Sequence, residues 1–117
     1  MATPDGFDIV LMDIQMPILN GFTSTTLIRS FTTNTLPSPR ASLYGRLPII
    51  AVSASLEESK RDEYVTRGFD GWILKPIDFQ TLEGMLASVE DDGRREKLMY
   101  GREGVKWNKG GWLRLRG

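Results

Sequence analysis

Apolar positions along the chain fall into three short runs, each closed by a polar residue. The first holds Phe7, Ile9, Val10, Leu11 and Met12 and ends at Asp13. The second holds Leu47, Ile49, Ile50, Ala51 and Val52 and ends at Ser53, and the third holds Trp72, Ile73 and Leu74 and ends at Lys75 and Pro76. Runs this short, continuous and rich in β-branched residues predict strands buried on both faces of a parallel sheet. Pro17 and the pair Asn20 and Gly21 mark a loop, and residues 22–31 read as a Thr-rich helix. The polar stretch 32–46, with Pro37, Pro39 and Gly45, reads as a long loop. Ser55 followed three residues later by Glu58 has the pattern of a capping box, in which each side chain satisfies a free N–H at a helix start. The helix it opens should run to about Arg67, with Gly68 as its left-handed stop, and its apolar face is thin: Leu56, Tyr64 and Val65. Asp78 is a good N-cap for a helix carrying Phe79, Leu82, Met85, Leu86 and Val89.

The element order is βαβαβα, which argues for parallel strands joined by right-handed crossovers. Past Asp91, Asp92 and Gly93 the periodicity fades, and 6 of the 12 glycines lie from Gly93 onward. Residues 91–117 are therefore expected to form a mostly disordered tail. Charge divides in the same place. Residues 1–93 hold 7 Lys/Arg against 13 Asp/Glu, whereas residues 94–117 hold 8 against 2. The halves cancel to a net charge of zero. The basic tail also carries Tyr100, Trp107 and Trp112, a mixture that can grip phosphates and stack on bases, but with no fold expected around it nucleic-acid binding is disfavoured. The chain has no Cys and no His, which excludes disulfides, thiolate or imidazole metal sites and His-based catalysis. No apolar run approaches the ~20 residues of a membrane helix, so a cytosolic or nuclear protein is expected.

In a doubly wound sheet, function gathers at the carboxyl ends of the strands. Three residues qualify here, one per strand: Asp13, Ser53 and Lys75. A carboxylate, a hydroxyl and an ammonium on one rim make a set for handling a phosphoryl group, as nucleophile, hydrogen-bond donor and counter-charge. Asp13 with Gln15, Met16, Pro17 and Gly21, then Ser53 and Ala54, then Lys75 and Pro76, resembles the receiver domain of two-component response regulators over about residues 5–90. The wording around 51–55 and 68–78 is similar to receivers of fungal hybrid histidine kinases. The resemblance implies a flavodoxin-like α/β fold, of which only the last three βα units lie in this sequence. It implies a signalling module, not an enzyme, in which Asp13 takes a phosphoryl group from a phospho-His donor, a histidine kinase or phosphotransfer protein. The backbone carbonyl of Gln15 and the side chain of Asp13 would be ligands of Mg2+. Ser53 would bind a phosphoryl oxygen, Lys75 would pair with Asp13 and then with the phosphoryl group, Pro76 would follow a cis peptide, and Ala54 would leave access to the site. Trp72 would take the place of the aromatic residue that swings inward when Ser53 moves.

The family's first strand ends in an acidic pair that holds Mg2+, and this pair is expected to be missing. Asp8 lies five residues before Asp13, ~16 Å back along a strand, at the wrong end to share a metal. Magnesium binding is thus expected of a complete domain and not of this chain. The run 7–12 would also lose its central neighbour and become an apolar edge prone to self-association. A receiver-like piece that takes no phosphate and only docks partners is the alternative. A haloacid-dehalogenase-type phosphatase, which also uses an Asp after a strand, wants a second Asp two residues on, where this chain has Gln15.

Overall fold

A computed structural model of the chain describes residues 9–13, 39–101 and 105–117. The three apolar runs form strands β1 (Val10–Asp13), β2 (Ile49–Ser53) and β3 (Gly71–Leu74). They lie side by side and parallel, with Val10 opposite Ile49, Asp13 opposite Val52, and Ser53 opposite Leu74. Every residue of β2 is buried, as a central strand covered on both faces must be. Side chains alternate between two cores. Ile50 and Ile73 point to one side, with Tyr44, Met85, Val89 and Trp112. Ile49, Ala51 and Trp72 point to the other, with Leu56, Tyr64 and Phe69. Among the described residues no helix is long and apolar enough to cross a membrane.

Among the described residues four helices flank the sheet: α1 (Pro39–Tyr44), α2 (Arg61–Thr66), α3 (Phe79–Ala87) and α4 (Asp92–Lys97). The first falls inside the stretch expected to be loop. Pro39 suits a first turn, where its missing N–H costs nothing, and Ala41 and Tyr44, one turn apart, are buried. Ahead of α2 the expected capping box does not form. The Ser55 N–H goes to the Ser53 Oγ at 3.1 Å and the Glu57 N–H to the Tyr64 hydroxyl at 3.0 Å. The chain stays extended through Glu57, and a 3-10 turn, Glu58–Lys60, leads into the helix. Its end matches expectation: Gly68 has φ +107°, its N–H reaches the Val65 carbonyl, and the Phe69 N–H reaches that of Tyr64, the two bonds of a Schellman stop. Asp78 caps α3 through the Gln80 N–H at 3.0 Å. Met85 and Val89 are buried as expected, but Phe79 is 79% exposed, because it stands roughly 120° around the helix from Met85.

The largest departure lies in residues 91–117, expected to be disordered and instead folded where described. Asp91 caps α4 through the Arg94 N–H, and Gly111–Trp112 forms β4, antiparallel to β3. The sheet is therefore mixed, in the order β1-β2-β3-β4. Its close approach requires glycine: a Cβ on Gly71 would lie 2.5 Å from the Gly111 carbonyl oxygen and 2.9 Å from Ile50 Cδ1. Trp112 is fully buried, its ring 5.1 Å from that of Tyr44 and its Nε1–H on Ser88 Oγ at 2.8 Å. Arg95 is fully buried too. Its guanidinium donates to the carbonyls of Ser88, Val89 and Leu115 and pairs with Asp92. These anchors sit at irregular intervals, so they leave no periodic signature. With Trp112 inside the protein and Trp107 stacked on Trp72, neither indole is presented as a platform for bases.

Tyr44 yields a pH prediction. Its hydroxyl is buried and donates to Asp70 at 2.9 Å, and burial first, then the Asp70 charge, push its pKa far above the ordinary tyrosine value. A raised folded pKa gives stability that is complete below the unfolded value of about 10 and fades as pH rises beyond it, by up to about 1.4 kcal/mol per pH unit. Urea midpoints taken between pH 9 and pH 11 should fall more steeply for the native chain than for Tyr44→Phe. Equal slopes would show that Tyr44 ionises freely in the folded state.

Candidate functional site

The parallel register brings the three strand-end residues to one edge. Asp13 closes β1 opposite Val52, Ser53 closes β2 opposite Leu74, and Lys75 follows β3 directly. The ladder continues one step past the strands, where the Lys75 N–H donates to the Ser53 carbonyl at 2.9 Å. Across the rim the Lys75 ammonium is hydrogen-bonded and ion-paired to the Asp13 carboxylate, joining residues 62 positions apart. Their side chains are 41% and 42% exposed, so the pair is half in water and contributes ~0–1 kcal/mol to stability. Its importance is positional: a carboxylate held beside a fixed positive charge, open to solvent, at the end of a rigid strand.

Ser53 is buried, and its Oγ accepts from the Ser55 N–H. That use of a lone pair leaves the hydroxyl proton available to another acceptor. Ala54 beside it is exposed. The Lys75–Pro76 peptide is cis. Trp72 is fully buried in β3, its Nε1–H on the Trp107 carbonyl at 2.7 Å. Gln15, Met16, Pro17 and Gly21, and the helix expected over 22–31, lie outside the described residues.

As for a metal, among the described residues no three acidic, His or Cys side chains stand close enough together to hold one. The carboxylate on the rim, Asp13, faces an ammonium. A dication needs several oxygen ligands, and these described residues do not make that set.

The polar network that sequence reasoning missed sits at the other end of the strands. Asp70, fully buried before β3, accepts from the Tyr44 hydroxyl, from Arg46 at 2.7 Å and from the Ile49 N–H at 3.0 Å. The signal was present, since an acidic residue between Phe69 and a buried strand has to be partnered. Its role is to tie α1, β2 and β3 together beneath the rim.

The family description response regulator receiver domain matches residues 1–87. The chain is 40% identical over 81 residues to hybrid signal transduction histidine kinase A of Dictyostelium discoideum, a match covering 69% of this chain and 3% of that protein. It is 34% identical over 91 residues to transcription factor SKN7 of Candida albicans, covering 78% of this chain and 14% of that protein. Among solved structures it is similar to the N-terminal domain of the nisin resistance regulator NsrR, with TM-score 0.53 and 31% identity over 71% of this chain and 60% of that one. It is also similar to chemotaxis protein CheY4 of Vibrio cholerae, with TM-score 0.54 and 28% identity over 71% and 61%. The chain thus spans about three-fifths of these solved structures and a small part of the curated relatives. The architecture is flavodoxin-like α/β.

Proposed function

The chain belongs to the response regulator receiver domain family, and from that premise we propose that Asp13 accepts a phosphoryl group from a phosphohistidine on a partner protein. The observation that carries this reading is the pairing of Asp13 with Lys75 at the carboxyl edge of the sheet. In the transfer, an Asp13 carboxylate oxygen forms a bond to phosphorus while the phosphorus–nitrogen bond breaks. The imidazole leaves with the electron pair and takes up a proton from solvent. Phosphoryl transfer needs positioning and charge neutralisation more than covalent chemistry from the protein. Lys75 supplies the charge, moving from the carboxylate to the phosphoryl oxygens. Ser53 supplies a hydroxyl proton from the neighbouring strand end. The donor is a histidine kinase or phosphotransfer domain.

A second reading has its own observation: the rim of the described residues offers one carboxylate and no metal-binding set, which suits a receiver-like module that docks partners without taking phosphate. Intact-mass spectrometry with a small acyl-phosphate donor and magnesium separates the two. The chain by itself is expected to gain no mass. Mixed with a segment supplying the family's first strand and acidic pair, it should gain about 80 Da, one phosphoryl group, and Asp13→Asn should abolish the gain. A complemented chain that binds the segment yet stays unlabelled would establish the docking module instead.

A further inference from the structure

Trp107 does not pack like the other tail anchor, Trp112. Its indole lies flat on Trp72, ring centroids 4.5 Å apart at 9°, with Tyr64 beyond at 6.3 Å and 17°. Tyr100 meets both indoles edge-on. The Trp107 Nε1–H reaches the Leu56 carbonyl at 3.0 Å, and the Trp72 Nε1–H reaches the Trp107 carbonyl. Leu56, Tyr64 and Trp72 thus form a slot that takes one indole and reads both its ring N–H and the carbonyl of the same residue. Around it Lys106, Asn108 and Lys109 are exposed, Val105 packs on the same cluster, and Gly110, where the segment joins β4, is buried against the backbone of Trp72 and Ile73. Trp107–Lys109 is a single 3-10 turn with local backbone bonds, from the Lys109 N–H to the Lys106 carbonyl and from the Gly110 N–H to the Trp107 carbonyl. Trp107 itself is only half-buried, whereas Trp112, five residues on, is fully buried in the sheet.

We propose that this slot is a docking site for an indole-bearing segment, and that residues 105–110 of the chain itself occupy it as a detachable plug hinged on the permanent anchor at β4. The regulatory meaning rests on the phospho-acceptor reading above. Leu56 comes three residues after Ser53 and Trp72 three residues before Lys75, so the slot is walled by the two stretches that leave the rim. Whatever shifts Ser53 or Lys75 changes the slot, and by reciprocity departure of the plug changes the rim. A partner that reads the domain through this face must first displace Trp107.

Hydrogen exchange on the native full chain tests the plug directly. Amides of 105–110 should exchange at least tenfold faster than those of β2 and β3, by local opening; exchange at the same rate would make Trp107 ordinary core and overturn the proposal. A labelled peptide of residues 99–113 should bind the Trp107→Ala chain saturably and the native chain at least tenfold more weakly, because there the slot is filled. The same peptide with its own Trp107→Ala change should bind neither. Equal binding to both chains, or none to a Trp107→Ala chain that keeps its circular dichroism, would also overturn it. Loss of fold in Trp107→Ala would do so too. Lys75→Ala should change the exchange rate of 105–110 at least twofold; an unchanged rate would sever plug from rim. None of these measurements uses phosphate, so their failure is separate from failure of Asp13 to take a label.

Discussion

Replacing Trp112 by alanine should destabilise the fold by about 3–5 kcal/mol. Proteins of this size have ~5–15 kcal/mol in hand, so a substantial unfolded population follows. The reason is where the side chain sits. It has no exposed surface, packs against Tyr44 and donates to Ser88 Oγ. Its backbone is shared as well: the Trp112 N–H goes to the Leu98 carbonyl and the Trp112 carbonyl accepts from Tyr100. Truncation would open a large cavity under β3, at a strand too short to hold its place without its anchor. Trp112→Phe keeps most of the packing and loses the indole donor, so it should cost no more than about 2 kcal/mol. Urea unfolding of the three chains measures this directly. A loss under about 1 kcal/mol in Trp112→Ala would mean that 105–117 behaves as the free tail its composition suggests.

Asp70→Ala should cost a similar amount, about 3–5 kcal/mol, by a different route. The carboxylate gathers the Tyr44 hydroxyl, the Arg46 guanidinium and the Ile49 N–H, and its removal leaves a buried hydroxyl and a buried amide unsatisfied and one charge uncompensated. The backbone of the same residue bonds to Ile49 and accepts from Leu113, so the damage reaches β2 and the C-terminal segment together. Adding Arg46→Ala to Asp70→Ala should cost less than the two single losses combined, because the stranded charge goes with it. Strict additivity in this double-mutant cycle would show that Arg46 and Asp70 do not act as a pair. Neither change touches the rim, so any folded fraction should keep the Asp13–Lys75 pair.

The misreadings share a cause. The run 39–44 looked like loop because Pro39 and polar residues surround it, yet two side chains one turn apart, Ala41 and Tyr44, suffice to bury a short helix on the sheet. Ser55 and Glu58 had the spacing of a capping box, but the Ser53 hydroxyl stood two residues away and took the Ser55 N–H first. Phe79 matched the apolar composition of its helix and missed its face. In each case a local pattern was present, and a neighbour in space determined its use.

What the sequence determined by itself was everything carried by short-range order. Apolar runs of strand length specified β1, β2 and β3, the polar residues that closed them marked the rim, and the alternation of strand with helical pattern implied a parallel sheet. Asp78 and Gly68 marked helix ends through conformational preferences that belong to single residues. Only the tertiary structure decided the rest. That Asp13 meets Lys75 depends on the register of strands 62 residues apart, although the motif pointed there. That β4 closes the sheet antiparallel, that Arg95 is buried among carbonyls, and that Trp107 lies on Trp72 left no trace in periodicity. A two-residue strand is too short to show a period, and single aromatic anchors at irregular intervals are recognised only by the surfaces they fill.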